Sequence, residues 1–406
     1  MIRYISICLL LISSSLAEAD EGSLFDLIHA RLNLMDEVAA YKWLHKLPIE
    51  DLQRETIVVS NAIHQGLRTG IQVKSSRQFF RQQIHAAKEI QHYWFDYWKG
   101  NPTPKKAPDL NGVLRPALIR LSNDITNKLS TLKHSRFNES NRSQFLEDLS
   151  VKGLSEHSKQ NLYDSLIAIK FYDNRLKQVL DSNKLRVGTT GDYAPFSYRE
   201  SSELGYVGID IDLAEDLAQA LGVEIQIIRT TWPTLLQDLE NGKYDVGMSG
   251  ISRTLARQSV GYFSNVYHRG GKTPVTLCAN TDRFDSLSKI DQPSTRIIVN
   301  PGGTNERFVD VTFQQAQKIL HQDNRTIFDQ IISGKADLMI TDSIEVKLQT
   351  TRHSRLCPAM PGKTLTHLEK GFLMPQDEKL KEYVNLWLSM RKADGTFDSI
   401  FEKHVY

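Results

Sequence analysis

The stretch LRVGTTGDYAPFSY (185–198) marks the point at which the sequence changes from one structural pattern to another. Before it, residues 20 to about 180 have the spacing of amphipathic helices and almost no strand signal. After it, short β-rich runs such as IQIIRTT (225–231) and DLMITDS (337–343) alternate with helical stretches such as IDIDLAEDLAQALG (209–222). The sequence therefore predicts a multidomain protein in which an all-α domain (20–180) is followed by an α/β domain (184–406) with mostly parallel sheets.

The N-terminus has the composition of a secretory signal peptide. Arg3 precedes an apolar run from Tyr4 to Ile12, and the small-residue pattern Ala17-Glu18-Ala19 follows. We therefore expect cleavage after Ala19 and a periplasmic or secreted protein without a membrane anchor after cleavage. In an oxidising compartment the two remaining cysteines, Cys278 and Cys357, favour a disulfide, with two separate buried thiols as the alternative. The net charge of +2 gives no reason to expect a nucleic-acid partner.

The helical half is predicted to contain four long helices, with one or two more before residue 180. Asp109 ends a proline-rich loop and is a candidate N-cap, and Pro48 suits a first helical turn. The predicted helices span about 23–46, 49–69, 75–99 and 110–135.

Two cations interrupt the apolar stripe of the first predicted helix. The stripe is spaced four, three, four, three and four residues apart and consists of Leu24, Ile28, Arg31, Met35, Val38 and Lys42. A buried unpaired charge costs several kcal/mol, so Arg31 and Lys42 must meet an anion or reach solvent. By spacing alone, pairing with internal acids such as Glu50 or Asp51 is equally compatible. The third predicted helix carries the amides Gln83 and Gln91 in its own apolar stripe.

Three segments in order resemble the secreted class of all-α chorismate mutases. They are ARLNLMDEVAAYKWLHKLPIEDLQRE (30–55), FFRQQIHAAKEIQHYWFDYWKGNP (79–102) and PDLNGVLRPAL (108–118). The resemblance implies rearrangement of the dianion chorismate to prephenate, for which the protein must clamp both carboxylates and place positive charge on the ether oxygen. It also implies that Arg31, Arg54 and Arg115 bind carboxylates. Lys42 and Gln91 would serve the ether oxygen.

Two positions depart from the best-known mutase patterns. Val58 and Ala87 stand where some family members have polar site residues, and Lys88 and Gln83 are candidates to compensate. These departures bear on substrate affinity more than on the reaction. A helical fold retained without activity is the alternative for this domain.

The second half resembles the two-lobed amino-acid-binding proteins and, more closely, the exported cyclohexadienyl dehydratases built on that scaffold. The resemblance rests on 185–198, GYVGIDIDLAEDLAQALG (205–222), TTWPTLLQDLENGKYDVGMSGISRTLARQSVGYFSNVYH (230–268) and VNPGGTNERF (299–308). It implies a cleft for a small carboxylate, with Arg257 and Ser252 as carboxylate ligands. The glycine-bearing turn before Thr304 suits an anion at a helix N-terminus.

The resemblance assigns further residues of the cleft. Tyr193 and Trp232 would form aromatic walls, and Asn300 would orient the reacting group. Asp342 is the aspartate that usually binds a ligand's ammonium group. Glu345 would be the general acid that protonates the leaving hydroxyl of prephenate; a solvated acid in a first helical turn is the alternative. Lys272 and Glu369 are weaker candidates.

We therefore predict a bifunctional exported enzyme that converts chorismate to prephenate and prephenate to phenylpyruvate. Arogenate, which would give phenylalanine, is an alternative substrate, since Asp342 could bind its ammonium group. The rival hypothesis is a mutase fused to a non-catalytic amino-acid receptor or sensor. We expect no cofactor and no metal, small-molecule substrates as partners, and a homo-oligomer formed through the helical domain.

Overall fold

A computed structural model describes residues 24–132, 139–201 and 203–405. The chain forms two compact units, which divide between Asp173 and Asn174. The predicted leader, residues 1–19, lies outside the described residues. No helix within the described part of the chain is both long enough and apolar enough to cross a membrane.

The first unit is helical. The helix predicted over 23–46 is interrupted at Leu34 by a turn, which leaves two shorter helices. A π-helical turn, Leu110–Leu114, leads directly into a helix with Pro116 in its first turn. The helices are α1 (24–33), α2 (Met35–Leu44), α3 (Leu52–Thr69), α4 (Val73–Trp98), α5 (Arg115–Thr131), α6 (Glu139–Asp148) and α7 (Glu156–Ile167).

Local capping sets the limits of these helices. The Asp51 carboxylate accepts a hydrogen bond from the Arg54 N–H at 2.9 Å, so α3 begins after Asp51 and Pro48 lies outside it. The helix ends at Gly70, which adopts the left-handed conformation with φ 82°. Asp109 accepts from the Gly112 N–H at 2.5 Å, which confirms it as an N-cap.

The predicted stripe of the first helix lies in the core of the unit. Leu24 and Ile28 are fully buried, and Met35 and Val38 are nearly so. They pack with the apolar face of α4 and with the later helices of the unit. The cations that interrupt the stripe are therefore held at fixed positions on rigid helices.

The second unit has two lobes, each with a five-stranded sheet. The strands are β1 (Lys184–Thr189), β2 (Asp192–Tyr193), β3 (Ser197–Tyr198), β4 (Glu224–Arg229), β5 (Val246–Gly247), β6 (Tyr262–Phe263), β7 (His268–Gly270), β8 (Lys272–Leu277), β9 (Arg296–Val299), β10 (Gln317–Leu320), β11 (Leu338–Asp342), β12 (Leu356–Pro358), β13 (Leu368–Lys370) and β14 (Leu373–Met374). The first sheet has the order β4-β1-β5-β14-β6 and the second β10-β9-β11-β8-β12. Strands β1, β4 and β5 run parallel, as do β9, β10 and β11, whereas β8, β12, β14 and β6 pair antiparallel, so the sheets are mixed rather than mostly parallel.

Helices cover both sheets. The first sheet takes strands from both ends of the unit, so the chain crosses between the lobes twice, and the antiparallel pair β7–β13 lies at these crossings. Cys278 and Cys357 form a disulfide with Cα atoms 4.8 Å apart, as the cysteine count favoured. The helices are α8 (Arg175–Ser182), α9 (Ile209–Leu221), α10 (Leu235–Glu240), α11 (Leu255–Gln258), α12 (Leu287–Ile290), α13 (Thr304–Thr312), α14 (Ile327–Ile332), α15 (Ser343–Arg352), α16 (Glu378–Ala393) and α17 (Thr396–Val405).

Candidate active sites

All the residues predicted for the mutase site line one cavity of the first unit. Helices α1 to α5 each contribute at least one of them, and apolar side chains such as Val38 and Ile84 form the remaining wall. The predicted residues that line it are Arg31, Lys42, Arg54, Gln91 and Arg115.

Arg31 is a buried cation whose partners are neutral. Its Nη1 donates to Gln83 Oε1 at 3.0 Å and its Nε to Ser122 Oγ at 3.2 Å, and the side chain is only 5% exposed. None of the ion pairs among the described residues includes Arg31. Burial lowers the pKa of its guanidinium to about 10, which still leaves it charged at neutral pH. The alternative that Arg31 pairs with an internal acid is therefore wrong, and its charge is available to an anion in the cavity.

The other cations of the cavity lie close to one another. Lys42 Nζ donates to the Ile49 carbonyl at 2.7 Å. Burial lowers the pKa of Lys42, and the charge of Arg115 lowers it further, whereas the charge of Asp51 raises it. Arg115 lies 3.6 Å from the Asp51 carboxylate and donates to Asn111 at 2.5 Å. Burial and the charge of Arg115 also lower the pKa of Arg54. The mutual proximity of these cations produces a positive field that suits a dianion.

Gln91 is 4% exposed and lies on the α4 side of the cavity. Its Nε2 donates to the Ala87 carbonyl at 2.9 Å, and its Oε1 is buried without a hydrogen-bond partner among the described residues. Val58 and Ala87 line the same cavity as apolar wall. Of the residues expected to compensate for them, Lys88 lines the cavity but pairs with Glu50 and Glu55 at 3.2 and 3.1 Å. Gln83 instead supports Arg31.

A second cavity lies between the lobes of the second unit. All the residues predicted for the dehydratase site line it except Glu345 and the two weaker candidates, Lys272 and Glu369. Arg257 is 2% exposed, donates to the Ser252 carbonyl at 2.8 Å and takes part in no ion pair among the described residues, so it is a second buried cation open to an anion. The predicted residues that line this cavity are Tyr193, Trp232, Ser252, Arg257, Asn300, Thr304 and Asp342.

Asp342 lines the cavity, but its carboxylate is already neutralised by the protein itself. Lys370 Nζ lies 2.5 Å from Oδ2 and Lys272 Nζ lies 3.2 Å from Oδ1, while the Tyr193 hydroxyl donates to Oδ2 at 2.5 Å. Although burial alone would raise it, the charges of Lys370 and Lys272 hold the pKa of Asp342 well below its ordinary value. The expectation that Asp342 binds the ammonium group of a ligand is therefore contradicted, because two lysine ammonium groups occupy that place.

Glu345 is buried in the first turn of α15, beside Asp342. It is 2% exposed, which excludes the alternative of a solvated helix-start acid. The Thr341 hydroxyl donates to its Oε2 at 2.5 Å. Burial raises the pKa of Glu345 to about 8, and the neighbouring charge of Asp342 acts in the same direction. A carboxyl group in this state holds a proton at neutral pH and can deliver it.

A chain of polar side chains connects Lys272 to this acid. Lys272 donates to Thr304 Oγ1 at 3.2 Å and to Asn305 Oδ1, and Asn305 Nδ2 donates to the Thr341 hydroxyl at 3.1 Å. Lys272 was a weaker candidate from the sequence, whereas Lys370, Asn305 and Thr341 were missed. Glu369, the other weaker candidate, pairs with Arg253 at 2.6 Å. In the sequence, Lys370 is a cation next to the apolar run GFLM (371–374). Only the fold shows that it lies where the chain crosses between the lobes.

The family of the chain follows from these two sites and from comparison with known proteins. Residues 185–406, more than half of the chain, match the model of the bacterial extracellular solute-binding proteins, family 3. The chain belongs to this family. Residues 15–92 match the model of chorismate mutase type II. The protein is thus a fusion of a chorismate mutase domain with a two-lobed solute-binding domain, as the sequence predicted, and its family is one of extracellular proteins.

Individual relatives assign each half more narrowly. The cyclohexadienyl dehydratase of Pseudomonas aeruginosa is 47% identical over 56% of this chain and 85% of that protein. A monofunctional chorismate mutase of Enterobacter agglomerans is 28% identical over 40% of this chain and 91% of that protein. A crystal structure of the ancestral amino acid-binding protein AncCDT-1, a precursor of cyclohexadienyl dehydratase, has a TM-score of 0.53 at 32% identity and covers 57% of this chain and 100% of that one. The second unit of this solute-binding family member is therefore of the cyclohexadienyl dehydratase type, and the chain is an enzyme.

Proposed function

We propose that the protein is a bifunctional enzyme of phenylalanine biosynthesis that rearranges chorismate to prephenate and then converts prephenate to phenylpyruvate. The first activity is that of a mutase and the second that of a carbon–oxygen lyase. The family matches support the two activities, and the contents of the two cavities support the reactions.

The mutase reaction requires binding and electrostatic stabilisation but no proton transfer. Arg31, Arg54 and Arg115 would hold the two carboxylates of chorismate in the folded conformation, since guanidinium groups bind carboxylates in a fixed geometry. Lys42 and Gln91 would stabilise the negative charge that develops on the ether oxygen as its bond breaks. To do so, Gln91 must exchange its present hydrogen bond with the Ala87 carbonyl for one to the substrate.

The lyase reaction requires a proton donor. The ring carboxylate of prephenate leaves as carbon dioxide, and the electron pair of the broken carbon–carbon bond completes the aromatic ring and expels the ring hydroxyl. Hydroxide is a poor leaving group, so Glu345 would protonate this oxygen and release it as water. Arg257 would bind the remaining carboxylate, and Asn300 and Thr304 would orient the substrate between Tyr193 and Trp232.

The observation that carries this proposal is the position of a buried Glu345, whose pKa burial raises to about 8, beside an Asp342 that Lys272 and Lys370 already neutralise. An amino-acid receptor needs the opposite arrangement, with a free aspartate for the ligand's ammonium group and no internal proton donor. The same arrangement favours the keto acid prephenate over the amino acid arogenate as the substrate. We therefore place the receptor or sensor hypothesis second.

The test is conversion of chorismate by the mature protein, residues 20–406, with chorismate loss and phenylpyruvate appearance followed together. Wild type should produce phenylpyruvate. Glu345→Gln should consume chorismate at the wild-type rate but accumulate prephenate, with lyase turnover reduced by about 100-fold or more because the proton donor is lost. A matched control is Glu378→Gln, which removes an exposed acid from the first turn of α16 and should change neither rate.

Two outcomes would contradict the proposal. If wild type stops at prephenate, the second unit is a receptor or sensor, and tight binding of a free amino acid would identify its ligand class. If Glu345→Gln retains wild-type lyase turnover, the proton comes from another group.

We also propose that the protein is exported, with its leader removed after Ala19, and that it assembles as a homo-oligomer through the helical unit. The extracellular description of the family supports export. Native mass spectrometry of the exported protein tests both statements, since the mass gives the first residue and the number of copies. A native mass equal to a single uncleaved chain would contradict both.

A further inference from the structure

A short polar segment of the second lobe contacts the backbone of the first lobe at the mouth of the dehydratase cavity. It consists of Asp323, Asn324 and Arg325, in the loop and single 3₁₀ turn that precede α14. Arg325 Nη1 donates to the Glu200 carbonyl at 2.9 Å and to the Arg199 carbonyl at 3.3 Å. The Asp323 carboxylate accepts hydrogen bonds of 2.8 and 2.7 Å from the Arg325 guanidinium and so fixes its orientation. Arg325 therefore joins the lobes without lining the dehydratase cavity itself. It lines a wider outer cavity, which shares three residues with the dehydratase cavity: Trp232, Asn300 and Asn324.

Unlike Arg325, Asn324 lines the dehydratase cavity together with the predicted site residues. Its Nδ2 donates across the lobes to the Asp192 carbonyl at 2.9 Å. The side chain is 5% exposed, and its Oδ1 is buried with no hydrogen-bond partner among the described residues. A buried amide oxygen without a partner is costly, so its retention at the wall of a binding cavity indicates a partner on the ligand.

The position of Asn324 relates it to the proton donor. Asp192, whose carbonyl it contacts, precedes the cavity residue Tyr193 and accepts a hydrogen bond from the Trp232 indole at 3.0 Å. The Tyr193 hydroxyl in turn donates to Asp342 at 2.5 Å, and Asp342 directly precedes the first turn of α15, which carries Glu345. Asn324 is therefore connected to the helical turn that carries Glu345 through Asp192, Tyr193 and Asp342.

The chemistry of the substrate indicates which of its groups is the hydrogen-bond partner of Asn324 Oδ1. On the proposed function, on which this inference rests, the ligand is prephenate, which carries two carboxylates, a ketone and one ring hydroxyl. The carboxylates and the ketone only accept hydrogen bonds, so the ring hydroxyl is the one group able to donate to an amide oxygen. We propose that Asn324 is a substrate-positioning residue whose Oδ1 accepts the hydrogen bond of the ring hydroxyl of prephenate. This bond would turn a lone pair of the hydroxyl oxygen toward Glu345, and the oxygen would then take the proton and leave as water.

The test compares a ligand that has the hydroxyl with one that lacks it. Phenylpyruvate, the product, lacks the ring hydroxyl and serves as the probe through its inhibition constant Ki. The measurements are kcat/KM for prephenate and Ki for phenylpyruvate in wild type, Asn324→Ala and Arg325→Ala. In Asn324→Ala the fall in kcat/KM should exceed the rise in Ki by about tenfold, the value of one buried hydrogen bond. The control Arg325→Ala loses hydrogen bonds between the lobes but removes no residue that lines the dehydratase cavity, so both constants should change by the same factor.

The outcomes separate this inference from the proposed function. Wild-type turnover of prephenate with equal changes of the two constants in Asn324→Ala would overturn the inference alone, since Asn324 would then act only in closing the cleft. Absence of wild-type turnover would overturn the proposed function and this inference with it. Circular dichroism and a thermal melt show whether a variant is folded. If Asn324→Ala is not, Asn324→Ser takes its place, because its shorter hydroxyl cannot reach as far and the same tenfold ratio is expected.

Discussion

At the scale of single residues, burial determines which groups of the second site carry charge. Glu345 and Asp342 are three residues apart and both are buried, yet their pKa values move in opposite directions. Asp342 has two lysine partners, which stabilise its carboxylate, whereas the hydrogen bond from Thr341 to Glu345 is too weak to offset desolvation. One carboxyl group therefore serves as a fixed anion and its neighbour as a proton donor.

This assignment predicts the pH dependence of the lyase reaction. A general acid must be protonated, and the pKa of Glu345 is raised to about 8, so kcat/KM for prephenate should be constant from about pH 6 to 7.5. Above pH 8 it should fall about tenfold per unit as Glu345 loses its proton. The mutase activity of the same samples is the internal control, since that reaction needs no proton transfer. A fall centred near pH 4.5, the ordinary value for glutamate, would contradict the raised pKa of Glu345.

The sequence identifies some of these residues better than others for a physical reason. Arg31 and Lys42 interrupt an apolar stripe, so helical periodicity alone shows that both face the interior of the unit. Lys370 and Asn324 lie at a chain crossing and in a polar loop, where no periodicity predicts burial. Asp342 was expected to bind an ammonium group because its lysine partners are 28 and 70 residues away in the chain.

At the scale of structural elements, the turn between β9 and α13 determines how closely the lobes approach. Gly302 in this turn has φ +76°, and a Cβ atom there would lie 2.8 Å from the backbone nitrogen of Pro233 in the first lobe. The turn was predicted from its glycines as an anion site, and one of its amides, the Gly302 N–H, donates to the internal carboxylate of Glu306 at 2.7 Å. Gly302 therefore serves close contact between the lobes, and the sequence could not show this because Pro233 belongs to a distant segment.

Replacing Gly302 should accordingly weaken closure of the cleft. We expect Gly302→Ala to raise KM for prephenate about tenfold or more, because the new methyl group meets Pro233 before the lobes reach their present separation. Gly334→Ala is the matched control: Gly334 has φ +74° on the same lobe, but nothing lies within 4 Å of its added Cβ atom. Both variants carry the same backbone strain, of about 1 kcal/mol, which a thermal melt would show. Equal KM values for the two variants would mean that strain, and not contact with Pro233, is responsible for any effect.

At the scale of the whole molecule, each unit contains a site built only from its own residues. The residues that line the mutase cavity lie between Arg31 and Asn123, and those that line the dehydratase cavity lie between Tyr193 and Lys370. Neither cavity therefore needs a side chain from the other unit to be complete. The covalent fusion supplies the two activities in equal amounts, while the chemistry of each site is independent.

Independence of the sites predicts that two damaged proteins should complement each other. Lys42→Met should lack mutase activity but turn over added prephenate, and Glu345→Gln should do the reverse. An equimolar mixture should convert chorismate to phenylpyruvate after a lag, since prephenate released by one protein must reach the other. At equal concentrations of active sites, wild type should show a lag of the same length, and raising the protein concentration should shorten both. A wild type with no lag beside a mixture that has one would contradict independence, because prephenate would then pass between the units without release.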